Sequence, residues 1–164
     1  MGLRNILKSN DVMLRKKCRE VIEFDARLHR LVDDMIETMR NADGAGLAAP
    51  QIGVLRRVCI VEITGDKEIA PIELINPRVV SSRGKLNGAE GCLSVPNRTG
   101  LVSRPKKIII EAQNRYGEPF TMAAEDLEAR ALCHEIDHLD GRLYIDIMER
   151  FLTQEEIEEL ERDG

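Results

Sequence analysis

The sequence predicts an α+β fold in which mostly antiparallel sheets pack around a central helix carrying an HExxH motif, with a further helix near each end of the chain. Three observations predict it. Apolar residues recur at helical spacing over 25–41 and again from about 124 to 139. Between these stretches lie short runs rich in β-branched residues, punctuated by Gly, Pro and Asn. A last helical pattern opens at Thr153. Strands that follow one another directly, with helices set apart from them, mark an α+β architecture rather than the βα alternation of a parallel sheet.

The first helix, 25–41, has Asp25 as its candidate N-cap and puts Leu28, Leu31, Val32, Met35, Ile36 and Met39 on one face. His29 on that helix is expected at the surface. The segment GAGLAAPQIG, 44–53, breaks the pattern and reads as a loop, and RVCIVEI, 57–63, reads as a strand. Further strands are expected at 72–82, 107–114 and 119–124, with Asn-Arg-Tyr-Gly at 114–117 as a hairpin turn. Gly84, Gly88, Gly91 and Pro96 predict loop and irregular backbone around 84–96. The second helix runs from about Ala124 to Leu139, without Gly or Pro until Gly141 stops it. Thr153 and Glu156 form a capping box for the last helix, whose Ile157 and Leu160 are expected to cover the body of the domain. No repeat or linker interrupts the chain, so residues 1–164 read as one domain.

Composition narrows the function classes. Hydrophobic residues make up 43% and charged residues 32%, a balance that folds rather than stays disordered. With no Trp, two Tyr and three Phe, the chain lacks the stacking platforms of single-stranded nucleic-acid binders. The net charge of -5 sits wholly in residues 149–164, which hold seven acids and two bases. A neutral body with an acidic tail offers no basic face to phosphates, so no direct nucleic-acid binding is expected. No apolar run has the length of a signal peptide or a membrane span, and Ile6 breaks the myristoylation pattern that Gly2 would begin. Cys18, Cys59, Cys92 and Cys133 lie far apart without a CxxC, which reads as reduced thiols in a cytoplasmic protein.

His134-Glu135-Ile136-Asp137-His138 is the HExxH motif, and its i, i+4 spacing puts both imidazoles on one helix face, where they can share a metal. A divalent ion lowers the pKa of a bound water from about 16 toward 7, making hydroxide available as a nucleophile. Glu135, beside the two ligands, can accept the water's proton and pass it to a departing amine, the work of a general base and then acid. A catalytic site needs a third protein ligand and an open fourth position, and Glu and Cys are the candidates. No His follows His138, so the metzincin pattern fails; a downstream Glu remains an alternative, although those acids fit a solvated helix. Cys92, in Glu90-Gly91-Cys92-Leu93-Ser94, is the candidate thiolate, while a lone Cys is more often a small buried hydrophobe.

Three separated segments, GAGLAAPQ at 44–51, EGCLS at 90–94 and HEIDH at 134–138, match in order and spacing the signature motifs of the bacterial peptide deformylases, which this chain therefore resembles. The likeness extends through ILKSNDVMLRKKC, LINP at 74–77 and HLDGRLY at 138–144, and so spans nearly everything but the tail. It implies that Cys92, His134 and His138 bind the metal, with Fe2+ as the usual ion and Zn2+, Ni2+ or Co2+ able to occupy the same site. It implies an enzyme that removes the formyl group from N-formylmethionyl nascent peptides. It also places the Gln51 side-chain amide and the Leu93 backbone N–H beside the oxygen that gains charge as the formyl carbon becomes tetrahedral.

Beside a metal, Gly44, Gly46 and Gly91 allow an extended peptide to approach the backbone and pair as an added strand. Specificity for Met would then rest on one apolar pocket touching Ala45, Leu127 and Ala131. Cys133, where many family members carry Gln, points about 100° away from His134 on a helix and reads as packing. Arg98 stands one position off from the cationic residue that many relatives place after EGCLS. Two competing readings are a protease acting on internal bonds, which needs a different third ligand, and a structural metal module, which would fill the fourth position. The acidic tail implies that any contact with the ribosome uses a surface other than a basic C-terminal helix.

Overall fold

The computed structural model describes residues 2–64 and 66–163. Helix α1, Ala26–Asn41, starts where Asp25 accepts a hydrogen bond from the Leu28 amide at 3.1 Å, the expected N-cap. Strands β1 (Gly46–Ala48), β2 (Val58–Val61), β3 (Ile72–Arg83), β4 (Leu86–Cys92), β5 (Val95–Arg104), β6 (Lys107–Gln113) and β7 (Pro119–Glu125) follow. Helix α2, Asp126–Leu139, strand β8, Arg150–Phe151, and helix α3, Gln154–Asp163, complete the order. Five strands form an antiparallel sheet in the order β1-β2-β3-β6-β7, and three form a second in the order β4-β5-β8.

The larger sheet lies between two helices. All four residues of β2 are buried, and they alternate between two cores. Val58 and Ile60 pack with Leu28, Val32, Met35 and Met39 of α1, whereas Cys59 and Val61 pack with Leu132, Ile136 and Leu139 of α2. A strand covered on both faces is apolar throughout, which is why RVCIVEI carries no polar alternation. The Asn114–Gly117 turn forms as expected: Gly117 donates to the Asn114 carbonyl at 3.0 Å with φ at +82°, a conformation that costs glycine little. Asn76 interrupts β3 with a positive φ, and its side chain bonds both Val21 backbone groups, at 2.8 and 2.9 Å, tying the N-terminal segment to the sheet.

The structure departs from the sequence reading at five places. The stretch read as irregular, 84–96, is mostly a β-hairpin of β4 and β5. Gly84 does sit in the connection before β4, with φ at +68°, but Gly88 and Gly91 serve close approach and a register shift: the Arg130 guanidinium lies 3.0 Å from where a Cβ on Gly88 would stand, and the ladder shifts between Glu90 and Cys92. Residues 46–48 of the expected loop pair with β2 as β1. The second helix begins at Asp126, because Ala124 and Glu125 still belong to β7. His29 is half-buried, with Nε2 3.0 Å from the Arg115 carbonyl oxygen and its ring edge-on to Tyr116. Leu160 remains 49% exposed, so of the two apolar residues of α3 only Ile157 is partly covered.

Candidate metal centre

The site is assembled where α2 crosses behind the tip of the β4–β5 hairpin. Cys92 ends β4 and pairs with Val95, leaving Leu93 and Ser94 as a two-residue turn. The turn is moored from two sides: Ser94 O accepts from the Ser9 amide at 2.9 Å, and Ser94 Oγ lies 3.0 Å from Gln51 Nε2. Cys92 Sγ stands 3.5 Å from His138 Nε2, and the ligand atoms of Cys92, His134 and His138 all fall within 4.8 Å of one another. An ion bound at about 2.0–2.3 Å from nitrogen and sulfur can bridge ligands this close.

Two buried atoms give a further test of whether an ion fits. Glu135 Oε1 and His138 Nδ1 have no hydrogen-bond partner among the described residues. A carboxylate oxygen is rarely left so, and Glu135 lines the same cleft as Cys92 and His134. Burial pushes the Glu135 carboxyl up to about 7, opposed by His134 and Arg104. Donor set and orphaned carboxylate together fit a catalytic divalent ion with one position left for water.

His134, one of the three clustered donors, is oriented by Glu90. Glu90 Oε1 accepts from His134 Nδ1 at 2.8 Å, which turns Nε2 toward Cys92 and His138. Glu90 is in turn held by Arg104, through Nε at 2.8 Å and Nη2 at 2.9 Å, and by Arg130 Nη1 at 2.7 Å. Arg104 also donates to Asp137 of the motif at 2.5 Å. Burial alone would raise the Glu90 carboxyl, but the bonds from Arg104 and His134 outweigh it and hold it at about 2. Two guanidinium groups and two carboxylates thus balance inside a buried network, where any one unpaired charge would be costly. Tyr144, fully buried, stacks against the outer face of His134 with ring centroids 6.1 Å apart. Glu90 and Tyr144 carried a signal in the sequence, by their places in EGCLS and HLDGRLY; Arg104 and Arg130 lie in ordinary strand and helix patterns.

A cleft of about 870 Å³ opens onto the site. Gly44, Ala45, Gly46, Gln51, Gly91 and Leu93 all line it, as do Leu127, Ala131 and Arg98. The reason for two of the glycines differs from expectation. A Cβ on Gly46 would stand 2.4 Å from Glu135 Oε2, and one on Gly44 would stand 2.7 Å from Leu93 Cδ1. Their missing side chains make room for the enzyme's own groups. Gly91 would meet only the Arg98 carbonyl oxygen at 3.6 Å, which leaves it open for a ligand. Gln51 is fixed by the Ala48 amide, which donates to Oε1 at 2.9 Å and so turns Nε2 toward Cys92 Sγ, 3.5 Å away. Arg98 lies over the Phe151 ring at 3.7 Å. Cys133 is buried and absent from the ligand cluster. The second concavity of similar size, over β6 and β7, shares Leu127 and Glu128 with this cleft but holds none of the ligand side chains.

Comparison with known proteins agrees with this geometry. A profile of the Polypeptide deformylase family matches residues 3–154. Peptide deformylase of Caldicellulosiruptor bescii is 50% identical over 164 residues, all of this chain and 96% of the relative. Peptide deformylase of Clostridium botulinum is 53% identical over 146 residues, 89% of this chain and 97% of the relative. Among solved structures, a peptide deformylase from Legionella pneumophila superposes with a TM-score of 0.86 at 40% identity, covering 98% of this chain and 96% of that one. That from Thermotoga maritima gives 0.87 at 35% identity, covering 91% and 99%. The α+β fold, the Cys/His cluster and these likenesses converge: the chain belongs to the polypeptide deformylase family, metalloenzymes that remove the N-formyl group from nascent peptides.

Proposed function

We propose that Cys92, His134 and His138 hold one divalent ion, with Fe2+ as its usual identity and Zn2+, Ni2+ or Co2+ able to replace it, and that Glu135 is the general base and then acid of deformylation. The observation that carries this reading is Glu135 itself, a buried carboxylate with Oε1 unpartnered, next to His134 in the chain and lining the same cleft as Cys92. When bound, the ion supplies Lewis acidity and a water acidified toward neutrality. Glu135 takes the proton of the attacking water and returns it to the nitrogen of methionine as formate leaves. Its raised pKa suits both transfers near neutral pH. Gln51 Nε2, aimed by the Ala48 bond, and the Leu93 amide in the hairpin turn stabilise the charge developing on the formyl oxygen. A soft thiolate beside two imidazoles favours iron or zinc over magnesium or calcium.

The free edges of both sheets support the substrate geometry. β1 ends the five-stranded sheet and β4 ends the three-stranded one, and each contributes to the cleft through Gly46 and through Ala89 to Cys92. A peptide laid between them can pair through its backbone, which tolerates varied residues after the first. Ala45, Leu127 and Ala131 are the proposed wall of the methionine pocket. The substrates are N-formylmethionyl nascent peptides met in the cytoplasm by a single domain spanning residues 1–164. Residues 1–148 balance to zero net charge, so direct nucleic-acid binding is not part of this reading, and no described helix is long and apolar enough to cross a membrane.

Anaerobic purification followed by metal analysis and a formate-release assay tests the assignment. Glu135→Gln should retain the metal and lose about 10²–10⁴-fold in turnover. Formate release near the parent rate would remove Glu135 from its role.

A further inference from the structure

We infer that α3 is the outer wall of the substrate groove, with Gln154 and Ile157 contacting the peptide residues that follow the formylmethionine. The inference rests on the deformylase reading of the cleft and extends it beyond the first residue. Gln154 and Ile157 line the same cleft as Cys92 and His134, one turn apart on one face of the helix. Neither belongs to any of the three apolar clusters of the described residues, so core packing does not account for them. Ile157 is nevertheless partly covered while Leu160 on the same helix is 49% exposed. The cleft, not the core, is what Ile157 faces.

The wall is held in place. Thr153 and Glu156 cap the helix reciprocally, each bond at 3.1 Å, and Arg150 of β8 grips Glu156 at 2.8 and 2.6 Å. β8 pairs with β5 at Gly100 and Leu101, and the Leu152 amide bonds the Thr99 carbonyl at 2.8 Å. α3 therefore hangs from the strand that also carries Arg98 into the cleft. The family profile ends at residue 154, where α3 begins. A peptide leaving the metal site along the edges of β1 and β4 stays extended, at about 3.3 Å per residue, and its later residues travel along the groove toward this wall. The apolar flank of Ile157 and the amide of Gln154 suit side-chain and backbone contact, respectively.

Steady-state kinetics on a length series, formyl-Met-Ala against formyl-Met-Ala-Ala-Leu, test the inference on the metal-loaded full chain. The ratio of the tetrapeptide KM to the dipeptide KM should rise roughly threefold or more in Ile157→Asp with kcat held. Gln154→Ala should move it the same way by less. Leu160→Asp, on the same helix outside the cleft, should leave the ratio unchanged, which separates a groove contact from a general weakening of α3. A ratio unmoved by both cleft variants, or moved equally by Leu160→Asp, overturns the inference. Absence of formate release from the dipeptide by the parent enzyme would instead overturn the deformylase reading beneath it.

Discussion

Arg130 shows how much of this site is decided by a residue that touches no ligand of the metal. It leaves α2 three residues before Cys133, and every side-chain bond it makes ends on the hairpin that carries Cys92: Glu90 at 2.7 Å, Val102 O at 2.9 Å and Leu86 O at 2.6 Å. It therefore fixes the helix bearing His134 and His138 against the hairpin bearing Cys92, the three proposed ligands. Arg130→Met should destabilise the fold by about 3–5 kcal/mol, because it removes one of the two guanidinium groups that balance the carboxylates of a buried network. It should also speed metal loss to a chelator, and Arg130→Lys should rescue only in part, since an ammonium cannot span the same three acceptors. Parental metal retention in Arg130→Met would show that the hairpin is positioned by other contacts. The cysteines give a second prediction. Burial pushes Cys18 and Cys133 up to about 11 and Cys59 well above its ordinary value, so all three remain neutral thiols at working pH. After metal removal at pH 8, iodoacetamide should label Cys92 alone, read by peptide mass spectrometry; labelling of Cys133 at a comparable rate would mean that a second thiol is reactive beside the ligands. The two histidines and Glu135 were legible in the sequence because an i, i+4 spacing is a geometric statement. Arg130 and Arg104 were not, because their partners lie 40 and 14 residues away along the chain and only folding brings them to Glu90.

At the level of the element, the helices were legible and one hairpin was not. Asp25 and the six apolar residues after it specify α1 locally, through a cap and a period. The β4–β5 hairpin has no such local cause: its glycines serve the Arg130 guanidinium and a bulge, both tertiary features that look like loop signals in one dimension. The link between α1 and the sheet carries a pH prediction. Glu62 follows β2 and accepts from Arg40 at 3.0 and 2.7 Å near the C-terminal end of α1, and from Lys67 at 3.2 Å. The hydrogen bonds from Arg40, against the cost of burial, hold its carboxyl below the ordinary 4.5. A carboxyl depressed on folding adds stability that is complete above its unfolded value and disappears as pH falls through the folded one. Glu62→Gln should therefore lower Tm at pH 7, with the gap closing as pH drops below about 4.5. A gap that persists unchanged at pH 3 would mean that shape, not charge, holds this corner.

For the molecule as a whole, the layering was legible as a fold class, and the charge distribution as an asymmetry. The antiparallel strands divide into two sheets, of which the larger buries the apolar face of α2 and the smaller brings Cys92 to the two histidines. Register and strand order depend on pairings across the whole chain, which no local pattern records. The charge asymmetry bears on how the enzyme reaches nascent chains. The seven acids and two bases of residues 149–164 give that end a charge of -5, and the exposed Glu155, Glu158, Glu159 and Glu161 of α3 carry most of it. Ribosomal RNA presents a dense array of phosphates, so a surface of this sign is repelled at short range, and the repulsion weakens as salt shortens the Debye length to about 8 Å at physiological strength. Any ribosome contact should then lie on another face of the domain. Replacing those four glutamates by glutamine keeps helix propensity and the Arg150–Glu156 anchor while removing four negative charges. Sedimentation with ribosomes at low and at physiological salt should show association of the variant equal to or stronger than the parent, with the difference shrinking as salt rises. If the variant instead loses association, α3 is recognised through its carboxylates by a basic protein surface, and the repulsion argument fails.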